Sequence, residues 1–163
     1  MLSIRGFMLV GNGFDIHRHS NDRKLILGGI SLDGIGFEAH SDGDIVLHSI
    51  CDALLGATGN KDLGYYFPSN SDTPENISSI EMLKKILDVI NFESLIINNI
   101  DLTLISEVIN VSKISDELEL SLAKLLETDA SKINVKGKSM DKLGEIGEGI
   151  ASAVMTTVSI SHA

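Results

Sequence analysis

The clearest pattern of hydrophobic and polar positions lies near the end of the chain, where side chains alternate between two faces from residue 150 to 160. Alternation with a period of two predicts a β-strand over this segment. Both of its faces carry small or apolar side chains, so we expect cover on both sides, and one cover could be another subunit. Further extended segments are predicted at residues 8–11, 25–32, 100–106 and 132–136.

Three segments have the spacing of helices. The first begins in the polar run 41–44, whose short side chains can cap backbone N–H groups, and continues to Leu55. The second opens with a capping box formed by Ser78 and Glu81. The third starts at Ser115. The inward-facing positions of the second and third helices are Leu83, Ile86, Leu87 and Ile90, and Leu118, Leu122, Leu125 and Leu126.

Strands that alternate with helices predict an α/β fold, more closely an α+β sandwich with a mixed β-sheet and helices over one face. A chain of 163 residues is long enough for one domain with a real core and too short for two ordinary ones. We find no internal repeat, low-complexity tract or long linker. The prediction is therefore a single domain over residues 1–163, in which 1–7 form an N-terminal extension.

Charge and cysteine content narrow the function classes. A net charge of −10 argues against nucleic acid or an anionic membrane as the partner, so any phosphate site must be built locally. The single cysteine, Cys51, excludes an internal disulfide and is interpreted as a core thiol rather than a metal ligand. The start resembles no signal peptide, and polar residues interrupt the apolar run 90–109. We expect a soluble, cytoplasmic protein.

Asp15, His17 and His48 are the candidates for a metal site. Side chains at i and i+2 of an extended segment point the same way, so Asp15 and His17 can bind one ion together. His48, on the first predicted helix, would complete a mixed oxygen and imidazole set suited to Zn²⁺, with a fourth position open. The alternative is that these are ordinary histidines beside a chance Asp-x-His. His19 and His162 are isolated in the sequence and receive no role.

The segments around these residues stand in an order and spacing typical of one family. They are GNGFDIH at 11–17, AHSDGD at 39–44, DALLGA at 52–57, DLGYYFP at 62–68, NVK at 134–136, KLG at 142–144 and GEGIA at 147–151. Together they resemble the 2-C-methyl-D-erythritol 2,4-cyclodiphosphate synthases, the cyclising enzymes of non-mevalonate isoprenoid biosynthesis. The resemblance runs from about Met8 to the end of the chain.

The resemblance implies a reaction and an assembly. 4-Diphosphocytidyl-2-C-methyl-D-erythritol 2-phosphate would be converted to 2-C-methyl-D-erythritol 2,4-cyclodiphosphate and CMP, by attack of the substrate's 2-phosphate on a zinc-bound β-phosphate. It implies a homotrimer packed through its sheets, with active sites between neighbours. It also implies two metals: Zn²⁺ or a similar ion held by the protein, and Mg²⁺ or Mn²⁺ that binds with the substrate's diphosphate.

The resemblance also implies the site residues. Asp15, His17 and His48 would hold the zinc, Asp141 the Mg²⁺, and His40 and Ser139 would be the catalytic contacts to the transition state. The implied substrate-binding residues are Asp15, His17, His40, Ser41, Asp62, Leu63, Gly64, Phe67, Ser106, Lys138, Ser139 and Asp141. For Ser41 the alternative is helix capping, and for residues 62–68 it is an ordinary turn.

The second half of the chain departs from the family pattern. Residues 106–110 read SEVIN where the family has Ala-x-x-Pro-Lys against cytidine, and 137–141 read GKSMD in place of Ala-Thr-Thr-Thr-Glu. Asp141 is thus one methylene shorter than the expected glutamate, and its alternative role is a turn cap. The loop after Gly144 is two residues shorter and lacks the family's arginine. Two other functions stay open: a metal-binding or ligand-sensing homologue with impaired cytidine binding, and a zinc phosphohydrolase.

Overall fold

The computed structural model describes residues 7–70 and 73–163; residues 1–6 of the predicted N-terminal extension lie outside the described residues. Alternation and helical spacing give a sheet with helices packed on it. Its elements are β1 (Met8–Leu27), β2 (Ile30–Phe37), α1 (Ile45–Ala57), α2 (Leu63–Tyr66), α3 (Ser79–Val89), β3 (Leu95–Ile105), α4 (Ser115–Leu125), β4 (Ile133–Lys138), α5 (Gly144–Gly147) and β5 (Ala151–His162). Short 3₁₀ turns lie at Phe92–Ser94, Val111–Lys113 and Ala130–Lys132.

One five-stranded sheet has the order β2-β1-β5-β3-β4. The neighbouring strands are antiparallel except for β3 and β4, which are parallel. The mixed α/β fold predicted from the sequence is therefore confirmed. Register brings Asp15 opposite Val154 and His17 opposite Ser152. Both side chains consequently lie on the helix-covered face, because Val154 and Ser152 are completely buried there.

The prediction of one extended segment at 25–32 was wrong. This run contains the end of β1, a turn, and the start of β2. Gly28 and Gly29 form the turn with φ values of 57° and 79°, which glycine adopts without steric cost. β1 is also far longer than residues 8–11, because its polar second half pairs with β2 at the sheet edge and needs no apolar alternation.

Helix α1 packs directly on β1 and β5 and forms the centre of the core. Glycine in β1 allows this close approach, since a Cβ at Gly13 would stand 1.9 Å from the carbonyl oxygen of Ser49. Asp44 caps the helix by accepting hydrogen bonds from the amides of Val46 and Leu47. The helix continues through Gly56 to Ala57, two residues beyond the predicted end at Leu55.

The Asp44 carboxylate also binds the turn between β1 and β2. Its two oxygens accept from the amides of Gly28 and Gly29 at 3.0 and 2.7 Å. Complete burial raises the pKa of this carboxyl to about 6, against the opposing effect of the amide donors. One side chain thus fixes the edge hairpin to the start of α1. Cys51, inside the same helix, is buried as predicted.

The opposite face of the sheet carries exposed apolar side chains. Phe14 and Met155, which pair across β1 and β5, are 53% and 56% exposed. Met8, Val10 and Ile16 lie on the same face of β1 and are also exposed. We call this set, Met8, Val10, Phe14, Ile16 and Met155, the outer apolar face. Within the described parts of the chain, no helix is long and apolar enough to cross a bilayer.

Candidate active site

Asp15, His17 and His48 converge beneath the edge of α1. Asp15 Oδ2 lies 3.3 Å from His17 Nε2 and 3.0 Å from His48 Nδ1, and the three donor atoms lie within 4.8 Å of one another. Donor atoms of a tetrahedral site with bonds of about 2.0–2.2 Å are separated by about 3.3–3.6 Å. The two separations from Asp15, 3.3 and 3.0 Å, are within a few tenths of an ångström of the lower value, so the predicted cluster fits a divalent metal.

The charges of the cluster favour an ionised Asp15. Partial burial opposes ionisation, but hydrogen bonds and charge from His17 and His48 outweigh it and lower the pKa of Asp15 from 3.8 to about 2. Burial favours neutral His48, yet Asp15 and the nearby Asp44 and Asp42 raise its pKa above the usual 6.5. The Asp15 carboxylate is therefore available to bind a cation, and the raised pKa of His48 means that metal binding competes with protonation of that imidazole.

Ser79 contacts the far side of His48 and was missed in the sequence analysis. Its hydroxyl lies 3.0 Å from His48 Nε2 and donates to Asp42 Oδ1. Ser41 Oγ also approaches His48 Nε2, at 3.3 Å. These contacts orient the imidazole so that Nδ1 faces Asp15. Ser79 directly follows the capping Ser78, so the only signal in the sequence was a second serine at the start of that helix; its burial is visible only in the structure.

Next to the cluster is a cavity of about 340 Å³, which we call the metal-side cavity. The sequence-predicted residues that line it are Asp15, His17, His40, Ser41, His48, Leu63, Gly64 and Phe67. Ser41 precedes α1 by one turn, and its Oγ accepts from the amide of Gly43 rather than capping the helix. His40 Nε2 lies 2.8 Å from the carbonyl oxygen of Thr73, which fixes the ring at the cavity wall.

Asp62 does not line the metal-side cavity, unlike Leu63, Gly64 and Phe67 of the same motif. Its carboxylate caps the short helix α2 by accepting from the amide of Tyr65 at 2.9 Å, and it borders a neighbouring cavity. The segment 62–68 is therefore a capped helical turn rather than an ordinary turn. Asp52, which the sequence analysis did not select, lines both cavities and accepts from the amide of Leu63 at 2.7 Å.

Ser106, Lys138 and Ser139 line a different cavity of about 390 Å³, which we call the loop-side cavity. Among the described residues, it shares no lining residue with the metal-side cavity. Asp141 lies beyond the cavity wall, exposed and with φ of 51°, and its Oδ1 accepts from the Ser139 hydroxyl at 3.1 Å. One chain thus presents most of the predicted site residues in two separate groups, with Asp62 at a neighbouring cavity.

Glu107 orders the loop after β4 and was also missed. Its Oε1 accepts from the amides of Met140 and Lys142 at 2.8 and 3.4 Å. These bonds hold residues 139–142 beside the loop that follows β3. The signal in the sequence was weak, because Glu107 and Met140 are 33 positions apart.

Comparison with known proteins identifies the family. The YgbB family model matches residues 8–161. The chain belongs to this family. Recognition of the 2-C-methyl-D-erythritol 2,4-cyclodiphosphate synthases from their motifs is confirmed by curated relatives of that name. The relative in Prochlorococcus marinus is 40% identical over 147 residues, which cover 87% of this chain and 88% of the relative. The one in Petrotoga mobilis is 39% identical over 153 residues, or 91% and 94%.

Some relatives are longer than this chain. The bifunctional enzyme IspD/IspF of Aliarcobacter butzleri is 40% identical over 153 residues, and the chain spans 41% of its length. The bifunctional IspDF structure from Campylobacter jejuni superposes with a TM-score of 0.91 at 33% identity, over 97% of this chain and 43% of that one. Plasmodium falciparum IspF in complex with CDP gives a TM-score of 0.84 at 33% identity, over 96% and 97%. The classification as an enzyme of this family follows.

Proposed function

We propose that this chain, acting as a single domain, converts 4-diphosphocytidyl-2-C-methyl-D-erythritol 2-phosphate to 2-C-methyl-D-erythritol 2,4-cyclodiphosphate. An oxygen of the substrate's 2-phosphate forms a bond to the β-phosphorus, and the bond from that phosphorus to the CMP oxygen breaks. The nucleophile belongs to the substrate, so the protein has to fold the substrate and stabilise spreading charge. The observation that carries the proposal is the Asp15, His17 and His48 cluster at the wall of the metal-side cavity.

In this proposal the three clustered side chains hold a divalent cation, with Zn²⁺ favoured by two imidazoles and one carboxylate. When bound, the ion supplies Lewis-acid polarisation of a phosphoryl oxygen. His40 and Ser41 line the cavity close to the cluster and are the groups that contact the attacking phosphate. Leu63, Gly64 and Phe67 form the wall that receives the methylerythritol, and Gly64 permits close backbone approach.

The loop-side cavity is the proposed nucleotide site. Ser106 is at its wall, and Lys138 and Ser139 supply a positive charge and a hydroxyl for the diphosphate. Asp141 is the proposed ligand of Mg²⁺, which is commonly held by one or two carboxylates together with substrate phosphates. The positive charge of Lys138 is needed locally to attract phosphate, because the net charge of the whole chain is −10 and repels anions.

We propose a homotrimer, which the family resemblance implies and which the division of the site supports. The substrate carries its methylerythritol and its cytidine on one diphosphate, so in this proposal the metal-side cavity of one subunit faces the loop-side cavity of a neighbour. The outer apolar face supports the assembly, because an exposed patch built around Phe14 and Met155 favours burial against another copy. Light scattering should give the mass of three subunits; a monomer at micromolar concentration would contradict the divided site.

Product analysis tests the reaction itself. Incubation of the zinc-loaded protein with the substrate and Mg²⁺ should yield CMP and cyclodiphosphate in equal amounts by ³¹P NMR. In H₂¹⁸O the products should contain no solvent oxygen, whereas a zinc phosphohydrolase would incorporate one. The ligand-sensing alternative predicts binding without turnover, and the synthase relatives do not favour it. A cytoplasmic location remains part of this proposal, supported by the single cysteine.

A further inference from the structure

His19, given no role from the sequence, is part of a hydrogen-bonded chain between two distant elements. Its Nε2 lies 2.8 Å from Ser152 Oγ, and Ser152 donates to Ser106 Oγ at 2.7 Å. Ser152 is completely buried and Ser106 is 8% exposed. These two hydrogen bonds connect β1, which carries Asp15 and His17, through β5 to the first residue after β3.

Ser106 lies where the backbone turns after β3, and both its side chain and its amide form hydrogen bonds there. Its Oγ accepts from the amides of Val108 and Ile109 at 3.2 and 3.0 Å. Its own amide donates to the carbonyl of Lys138 at 3.0 Å, at the end of β4. The Ser106 side chain therefore determines the path of residues 106–109, and both ends of this segment, Ser106 and Ile109, line the loop-side cavity.

The His19 ring is fixed on its other sides. It stacks on Phe37 with ring centroids 4.7 Å apart, and Nδ1 lies 3.3 Å from the carbonyl oxygen of Gly36. Phe37 is buried, so the ring has little freedom to rotate. A fixed imidazole holds the Ser152 hydroxyl, which in turn holds Ser106 in the rotamer that accepts the two loop amides.

From this geometry we propose that His19, Ser152 and Ser106 form a relay that positions the 106–109 backbone for nucleotide binding. His19 and Ser152 are positioning residues, since both act on the nucleotide through Ser106. The proposal rests on the proposed function for the identity of the ligand. The relay itself has a consequence that does not depend on any ligand, namely protection of the Val108 and Ile109 amides.

Two measurements on the zinc-loaded protein test the relay. In Ser152→Ala, amide hydrogen exchange at Val108 and Ile109 should accelerate about tenfold, because Ser106 Oγ loses its fixed orientation. The KM for the substrate and the Kd for CDP should rise by a similar factor, while kcat and zinc content stay within about twofold. Thr156→Val is the matched control: it removes a buried hydroxyl from the same face of β5, where Thr156 pairs with Ser49 at 2.7 Å.

Substitutions at His19 separate positioning from packing. His19→Phe retains an aromatic ring for stacking on Phe37 and should reproduce the Ser152→Ala effects. His19→Gln retains a terminal amide that can donate to or accept from the Ser152 hydroxyl, so compared with His19→Phe it should restore part of the CDP affinity. Unchanged exchange at Val108 and Ile109 in Ser152→Ala overturns the relay, as does an equal effect of Thr156→Val. A wild-type protein that neither turns over substrate nor binds CDP contradicts the proposed function, and the exchange comparison then still decides whether the relay exists.

Discussion

Replacing Gly13 by Ala tests the packing that brings the metal ligands together. The added Cβ would stand 1.9 Å from the Ser49 carbonyl oxygen and 2.8 Å from the Ala53 amide nitrogen. Ordinary contact begins at about 3.4 Å, so β1 and α1 must separate by roughly 1.5 Å. Both atoms belong to helix backbone and cannot turn aside. Overpacking of this kind costs about 1–3 kcal/mol and sometimes more, and we expect about 3 kcal/mol here.

The same displacement should weaken metal binding. His48 precedes Ser49 in α1, and its Nδ1 lies 3.0 Å from Asp15 Oδ2 in β1. Separation of α1 from β1 would move these two ligands apart by more than the roughly ±0.2 Å that metal–ligand distances tolerate. Urea unfolding of the metal-free protein at one fixed concentration measures the stability, and competition with a chromophoric chelator measures the zinc affinity. Both should fall in Gly13→Ala.

Gly56 supplies the control for this experiment. It lies in the same helix, and a Cβ there would meet only ordinary contact, with the Asn12 carbonyl oxygen at 3.8 Å. Gly56→Ala should therefore be neutral or stabilise the protein by up to about 1 kcal/mol, because alanine favours the helix. The reasoning fails if Gly13→Ala unfolds within about 0.5 kcal/mol of wild type and keeps its zinc affinity.

Three further predictions concern the site. His48→Ala should lower zinc affinity by more than about 100-fold by metal analysis, with the exposed His162→Ala as control; full zinc retention would remove His48 from the ligand set. Asp141→Asn should reduce turnover and raise the Mg²⁺ requirement with zinc content unchanged, and Asp141→Glu should be tolerated. If Asp141→Asn leaves the Mg²⁺ dependence of turnover unaltered, Asp141 is not the Mg²⁺ ligand, and the charge of Lys138 neutralises the diphosphate instead. In the metal-free protein, the pKa of Asp15 at about 2, below its ordinary 3.8, contributes about 2 kcal/mol that is present above pH 3.8 and lost as pH falls toward 2. Urea unfolding of Asp15→Asn should lack this part of the pH dependence, and identical profiles would refute it.

The sequence predicted the parts of the fold whose signals are local. Asp44 and Ser78 cap α1 and α3, because capping depends on residues within one turn, although Ser78 accepts from the amide of Ile80 and not from that of Glu81 as the predicted capping box requires. Asp15 and His17 were paired correctly since i and i+2 share a face of a strand. His48 joined them because glycines in β1 let α1 approach closely enough to align it.

What could not be predicted depends on contacts between distant positions. The polar second half of β1 has no alternation, and its pairing with β2 follows the glycine turn that Asp44 binds. His19 looked isolated because its partner Ser152 lies 133 positions away. The division of the site into two cavities also follows from the order of the strands rather than from any motif.

The strand order has a consequence for synthesis of the protein. β5 lies between β1 and β3 in the sheet, yet it follows all the other strands in sequence. While the ribosome is still making α4 and β4, β1 and β3 therefore have no strand to join them, and each presents an unpaired edge. Such edges favour association with other chains. Completion of the sheet must wait for residues 151–162, so chaperone demand should concentrate in the last part of translation.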